Sequence, residues 1–218
     1  MLTLVIGNKN YSSWSQRPWL AMKMAGIAFD EIRVPLYAEG SKQQILAHSP
    51  SGKVPCLIER NGRGELTVWD SLAICEYVNE QHAGGTLWPV DVVSRARARS
   101  ACAEMHAGFA PLRQHLSMDI RADLSAIGVQ RQAMPEVAAD IARIRALWQQ
   151  ALDDSGGPFL FGTFSIADAF FAPVVTRFAT YGVSLPPDLA RYAQQVLALP
   201  PMQDWIAAAR AETEVLRF

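Results

Sequence analysis

Asn10-Tyr11-Ser12-Ser13-Trp14-Ser15-Gln16-Arg17-Pro18 is the stretch on which the fold of this chain turns. Leu2-Thr3-Leu4-Val5-Ile6 before it has the apolar density and β-branching of a buried strand, whereas Trp19, Leu20, Met22, Ala25 and Ile27 after it fit a helix packed on a sheet. A turn from strand to helix presents the helix's unpaired N–H groups and the positive end of its dipole, and serine hydroxyls there can donate to a sulfur or oxygen anion. Serine is also an ordinary helix N-cap, and Pro18 suits the first helical turn under either reading.

Working outward, Phe29-Asp30-Glu31-Ile32-Arg33-Val34-Pro35 alternates apolar and charged residues, as a second strand with one wet face does. Ser41-Lys42-Gln43-Gln44 has capping-box spacing and predicts a short helix through Ile45 and Leu46. Ser49-Pro50-Ser51-Gly52-Lys53-Val54-Pro55-Cys56-Leu57-Ile58-Glu59 then joins a turn to a strand through a Val-Pro bond, and proline there leaves the preceding backbone free to pair with a ligand. Arg60-Asn61-Gly62-Arg63-Gly64 links that strand by a hairpin to Glu65-Leu66-Thr67-Val68-Trp69, and Asp70-Ser71 open a helix carrying Leu72, Ile74, Cys75, Tyr77 and Val78. The order strand, helix, strand, helix, strand, strand, helix implies a mixed sheet with helical cover.

Composition excludes several alternatives. The 218 residues carry 20 Lys+Arg against 21 Asp+Glu, a formal net charge of -1, so no global field favours nucleic acid or an anionic membrane. Apolar residues make up 50% without a run long enough to span a bilayer, and the N-terminus lacks a signal-like pattern, which predicts a cytoplasmic protein. Cys56, Cys75 and Cys102 are odd in number and lack CxxC or zinc-ligand spacing. They read as buried, inert core residues, and no metal site is expected.

Around residues 82–93 the texture changes to a linker at His82-Ala83-Gly84-Gly85-Thr86-Leu87-Trp88-Pro89, and beyond it the chain is helical by pattern. Val137, Ile141, Ile144, Trp148 and Leu152 form one apolar helix face ending near Gly156-Gly157-Pro158. Ser165 to Asp168 has the form of a capping box with Asp in place of Glu, which makes Asp168 structural. Arg95, Arg97 and Arg99 alternate along a helix and cannot share one face, so they read as solvated or dimer-facing.

Ser12-Ser13-Trp14-Ser15-Gln16-Arg17, Gly52-Lys53-Val54-Pro55 and Asp70-Ser71-Leu72-Ala73-Ile74 resemble the active-site serine loop, cis-proline segment and acidic-Ser-x-Ala-Ile motif of the cytosolic glutathione S-transferases. Phe161-Gly162-Thr163-Phe164-Ser165-Ile166-Ala167-Asp168 resembles the family's capping motif, so the likeness spans nearly the whole chain and is nearest to zeta- and tau-like bacterial members. It implies an α/β thioredoxin-like glutathione-binding domain over residues 1–81, a linker over 82–93 and an all-helical domain over 94–218. It also implies a homodimer with glutathione as co-substrate.

Carried over residue by residue, the resemblance pairs the Val54 backbone with the cysteinyl part of glutathione beside a cis Pro55. Asp70 and Ser71 then hold the γ-glutamyl end, and Lys53 meets the glycine carboxylate. Ser12 is the preferred thiol-facing residue, as in zeta and tau classes, with Ser13 second, as in delta and theta classes. Tyr11 remains a third candidate, and Ser15 is read as a helix cap. Arg17 is read as a member of a structural ion pair, with electrostatic assistance of the anion as the second reading. Candidate walls of a second-substrate pocket are Trp14, His106, Phe109, Arg113, Arg177 and Tyr181.

The expected chemistry is stabilisation of glutathione thiolate by a serine hydroxyl and the helix dipole, for attack on a small electrophile. A zeta-like maleylacetoacetate cis–trans isomerase is the second reading. Against it, Trp14 replaces the zeta cysteine, and Arg177 falls about one turn before the expected substrate-binding arginine. A glutathione-binding regulatory protein with little catalysis is the third.

Overall fold

A computed structural model describes residues 1–216. The first half follows the expected order: β1 (Leu2–Ile6), α1 (Ser13–Met24), β2 (Asp30–Arg33), α2 (Ser41–Leu46), β3 (Cys56–Asn61), β4 (Gly64–Trp69) and α3 (Ser71–Gln81). The strands form one mixed sheet in the order β2-β1-β3-β4, with β2 parallel to β1 and the other pairs antiparallel. This is a thioredoxin-like domain. The rest is helical: α4 (Val92–Ala107), α5 (Ala110–His115), α6 (Ser125–Gln132), α7 (Pro135–Ser155), α8 (Ile166–Thr180), α9 (Pro187–Ala198) and α10 (Pro200–Ala211). No helix among the described residues is long and apolar enough to cross a membrane.

Alternation along β1 explains why its sequence is apolar apart from Thr3, which is itself buried. Leu4 and Ile6 point into the main core with Trp19, Leu57 and Ile74, while Val5 joins Val34, Ile45, Cys56 and Ile58 on the opposite face. Burial on both faces leaves no position for a polar residue to reach water. The main core continues into the helical half through Met105, Phe170, Phe171 and Trp148, because α1 packs on both α3 and α8. The two halves therefore share one apolar interior, and the serine turn at the head of α1 sits at their seam.

Local signals hold in most places. The α7 stripe buries Val137, Ile141, Ile144 and Trp148 and stops at Gly156, whose φ of 61° is the left-handed C-cap that glycine adopts without steric cost. Ser165 and Asp168 form the expected capping box on α8, and Asp168 also accepts the Leu160 N–H at 3.1 Å. Cys56, Cys75 and Cys102 are free and buried. Two expectations are corrected. Ser41 forms no capping box, because Gly40 is the N-cap of α2 and the Ser41 hydroxyl instead donates to the carbonyls of Pro35 and Ala38. Ser15 does not cap α1 either; Ser12 does, accepting the Ser15 N–H at 3.4 Å.

Candidate active site

A cleft of about 830 Å³ opens at the seam, between the serine turn, the α2 region and residues 52–54 on one side and α5, the segment after it and α8 on the other. Ser12, Ser13, Trp14, Lys53, Val54, Arg113 and Arg177 line it, as does Tyr11. Its ionisable walls are Tyr11, Tyr37, Lys42, Lys53, Arg113 and Arg177, with no Asp or Glu among the described lining residues. A chain of net charge -1 thus concentrates cations in its main cleft, where low-dielectric walls focus their field on an anion.

The serine turn is held from several directions. Ser12 Oγ lies 2.7 Å from Ser15 Oγ, which in turn accepts the Gly7 N–H at 3.1 Å. Ser13 Oγ accepts from Arg177 Nη2 at 3.1 Å, a bond between residues 164 positions apart. The Tyr11 hydroxyl accepts from Arg121 Nη2 at 2.9 Å and from the Leu216 N–H at 3.3 Å. The segment after α10 is bound here because the Glu212 carboxylate accepts the Lys9 and Asn10 N–H groups at 2.7 and 3.0 Å. Arg121 also donates to the Glu212 and Glu214 carbonyls. Sequence reasoning missed this strap, since nothing local marks Glu212 or Arg121 as partners of the turn.

On the same side of the cleft as the serine turn, the Val54-Pro55 bond is cis. Pro55 immediately precedes β3, and the Cys56–Trp69 pairing brings Pro55 beside Asp70 at the end of β4. Gly52 has φ +62°, and a Cβ there would lie 2.4 Å from Lys42 Nζ, which donates to the Gly52 carbonyl at 3.1 Å. Lys42 therefore fixes the turn that delivers Val54. The Asp70 side chain caps α3, accepting the Leu72 and Ala73 N–H groups at 2.8 and 3.3 Å, on a backbone with φ +78°. Positive φ at a non-glycine residue costs on the order of 1–3 kcal/mol and clusters at functional sites. Ser71 is buried, and its Oγ has no hydrogen-bond partner among the described residues.

The remaining candidates separate. His106 does not line the cleft; its Nε2 lies 3.2 Å from Asp70 Oδ2 and its ring meets the Trp14 edge, 5.1 Å between centroids. Phe109 is buried as the N-cap residue of α5, and Tyr181 is wholly buried with its hydroxyl against Ser117 and Arg131. Both are core residues rather than pocket walls, because a cleft between helices exposes only side chains on the facing stripe. Arg17 departs most from expectation. It forms no ion pair: wholly buried, its guanidinium has no hydrogen-bond partner among the described residues and rests against Trp14 and Phe170, 4.2 and 4.7 Å from the ring centroids. Burial, reinforced by Arg177 and Arg113, depresses it to about 9. Burial and Arg113 likewise bring Arg177 down to about 10.

A thioredoxin-like sheet sharing its cleft with an all-helical domain is the architecture of a thiol-handling transferase. Family models described as "Glutathione S-transferase, N-terminal domain" and "Glutathione S-transferase, C-terminal domain" match residues 11–81 and 91–208. The chain belongs to the glutathione S-transferase family. Maleylacetoacetate isomerase of Rattus norvegicus is 29% identical over 198 residues, covering 88% of this chain and 87% of the relative. Among solved structures, a glutathione transferase homologue from Burkholderia with bound glutathione is 25% identical with a TM-score of 0.69, covering 97% of this chain and 99% of that one. Maleylacetoacetate isomerase from Anaeromyxobacter dehalogenans, with glutathione in its active site, is also 25% identical at a TM-score of 0.69, covering 94% of each chain.

Proposed function

We propose that this protein binds glutathione in the seam cleft and activates its thiol for attack on a small electrophile. The observation that carries this reading is the cationic cleft joining the serine turn to Lys53 and Val54. The protein groups fit the peptide. Val54 has no backbone hydrogen bond among the described residues and is free to pair with the cysteinyl unit. The unpartnered Ser71 hydroxyl and the α3 N-terminus suit the γ-glutamyl carboxylate, Asp70 suits its ammonium, and Lys53 suits the glycine carboxylate.

A serine proton donated to sulfur, together with the α1 dipole and the buried guanidinium groups, favours thiolate over thiol. The serine acts as a hydrogen-bond donor, and attack comes from glutathione sulfur. Trp14 lines the cleft with the Arg17 and Arg113 guanidinium groups against its ring, and Arg113 offers a charge for a carboxylate on the electrophile. Calorimetric titration with glutathione and a conjugation assay with a chromogenic electrophile test this directly. Binding without turnover would leave the regulatory reading, and no binding would refute the proposal.

Isomerisation of an unsaturated acid is the second reading, and the observation favouring it is that Arg113 and Arg177 both reach the cleft. The register of Arg177 does not keep it out. Glutathione-dependent isomerisation of maleylacetone is the assay, and its absence would remove this reading. Exposed Leu66, Trp69, Val92 and Val93 on β4 and the start of α4 support a homodimer, checked by sedimentation. The unpaired, buried cysteines suit a cytoplasmic role in detoxification, which localisation of a tagged chain and survival under electrophile stress would test.

A further inference from the structure

We infer that Arg177 is a positioning residue for the thiol-activating group, holding Ser13 so that Ser13 rather than Ser12 gives its proton to glutathione sulfur. The inference rests on the glutathione reading and deepens it. A guanidinium is a donor only, so the 3.1 Å contact from Arg177 Nη2 fills a lone pair of Ser13 Oγ and leaves the Ser13 O–H to donate elsewhere. Ser13 lines the cleft at the first position of α1, where the helix dipole also favours an anion. Both partners are nearly sealed from solvent, Ser13 at 5% and Arg177 at 3% exposure, so the contact is weakly screened.

Ser12 is engaged differently. Its oxygen caps α1 and shares a short contact with Ser15 Oγ, which itself receives Gly7, so Ser12 ties the turn to β1. Arg177 is anchored on its own helix, where Nη1 reaches the Pro173 carbonyl at 3.3 Å, one turn back on α8. Its Nε is buried without a partner, and no carboxylate among the described residues forms an ion pair with it. The guanidinium's charge is therefore left to polarise the serine. Arg17 and Arg113 add further positive charge around Arg177, Tyr181 is a further ionisable neighbour, and Tyr11 and Lys53 share the cleft lining. The position of Arg177 one turn before the zeta pattern then acquires a physical meaning, since this register aims it at the serine turn.

The test is the ionisation of enzyme-bound glutathione, followed by thiolate ultraviolet absorbance against pH in the wild type, Ser12→Ala, Ser13→Ala, Arg177→Met and the Ser13/Arg177 double variant. Ser13→Ala and Arg177→Met are each expected to raise the bound-thiol pKa and lower kcat about tenfold or more, with glutathione KM changing far less. The double variant should lose little beyond Ser13→Ala, because the two residues act as one unit. Arg177→Lys should recover part of the loss, and it carries the test if Arg177→Met does not fold. An unshifted thiol in the Arg177 variants, additive losses, or full loss in Ser12→Ala with a silent Ser13→Ala would overturn the assignment. If glutathione does not bind the wild type in calorimetry, the underlying reading fails first and the inference falls with it.

Discussion

Replacing Arg17 with methionine is expected to make this protein more stable. The guanidinium is wholly buried and unpaired among the described residues, and burial with repulsion from Arg177 and Arg113 brings it well below the usual arginine range, to about 9. That depression corresponds to about 5 kcal/mol against the charged form. The faces of Trp14 and Phe170 offset part of it, since desolvated cation–π contacts contribute about 2 kcal/mol each. Methionine keeps an unbranched stem and packs against both rings. The net expectation is a gain of about 1–3 kcal/mol, or a Tm rise of about 2–4 °C for each kcal/mol in a chain of this size.

The pH dependence has a definite sign. Arg17 binds its proton less tightly when folded, so its cost is fully present below about 9 and fades only as pH rises from there into the usual arginine range. The stability gain of the variant should therefore be flat over about pH 6–8. Differential scanning calorimetry of both proteins across that range is the assay. A drop of several degrees in the variant would refute the reasoning, showing that the charge has found compensation stronger than two aromatic faces. A stabilised variant with less ionised bound glutathione would show that the charge is kept for the anion at the expense of stability.

Three further outcomes are expected. Asp168 is raised by burial to about 6 from 3.8, so it adds stability that is full below about 3.8 and lost as pH rises through about 6, on the order of 3 kcal/mol in all; thermal melts should show that Asp168→Asn removes this part of the slope, and an unchanged slope would contradict it. Asp70→Asn keeps an oxygen for the Leu72 and Ala73 N–H groups but loses the charge, so denaturant stability should move by less than about 1 kcal/mol while glutathione affinity falls about tenfold. Arg121→Ala removes the donor that holds the Glu212 and Glu214 carbonyls and the Tyr11 hydroxyl, so carboxypeptidase should trim the C-terminal segment several-fold faster. Equal trimming rates would show that Glu212 holds the strap alone.

Much of the fold was legible because its signals are local. Apolar density and β-branching gave β1, alternation gave β2, a Pro-led turn and a hairpin gave β3 and β4, the Asp70-Ser71 start gave α3, and Ser165 to Asp168 gave the head of α8. The failures were local competitions between similar groups: Ser12 took the cap assigned to Ser15, and Gly40 displaced the expected capping box of Ser41. Ser12 and Ser15 carry the same hydroxyl, whereas Gly40 takes the cap position of α2 through its left-handed backbone, and the chain's path decided each outcome.

By itself, then, the sequence determined the order of elements and the family, and it marked the three segments on which the glutathione reading rests, because period, capping and turn chemistry act over a few residues. Tertiary structure decided who meets whom inside that frame. It gave Ser13 a guanidinium from 164 residues away, left Arg17 between two rings with no hydrogen-bond partner among the described residues, placed His106 beside Asp70 and fastened the segment after α10 to Tyr11 through Leu216. Those contacts depend on how α1, α4 and α8 pack and which rotamers that packing allows, and no short-range pattern encodes either.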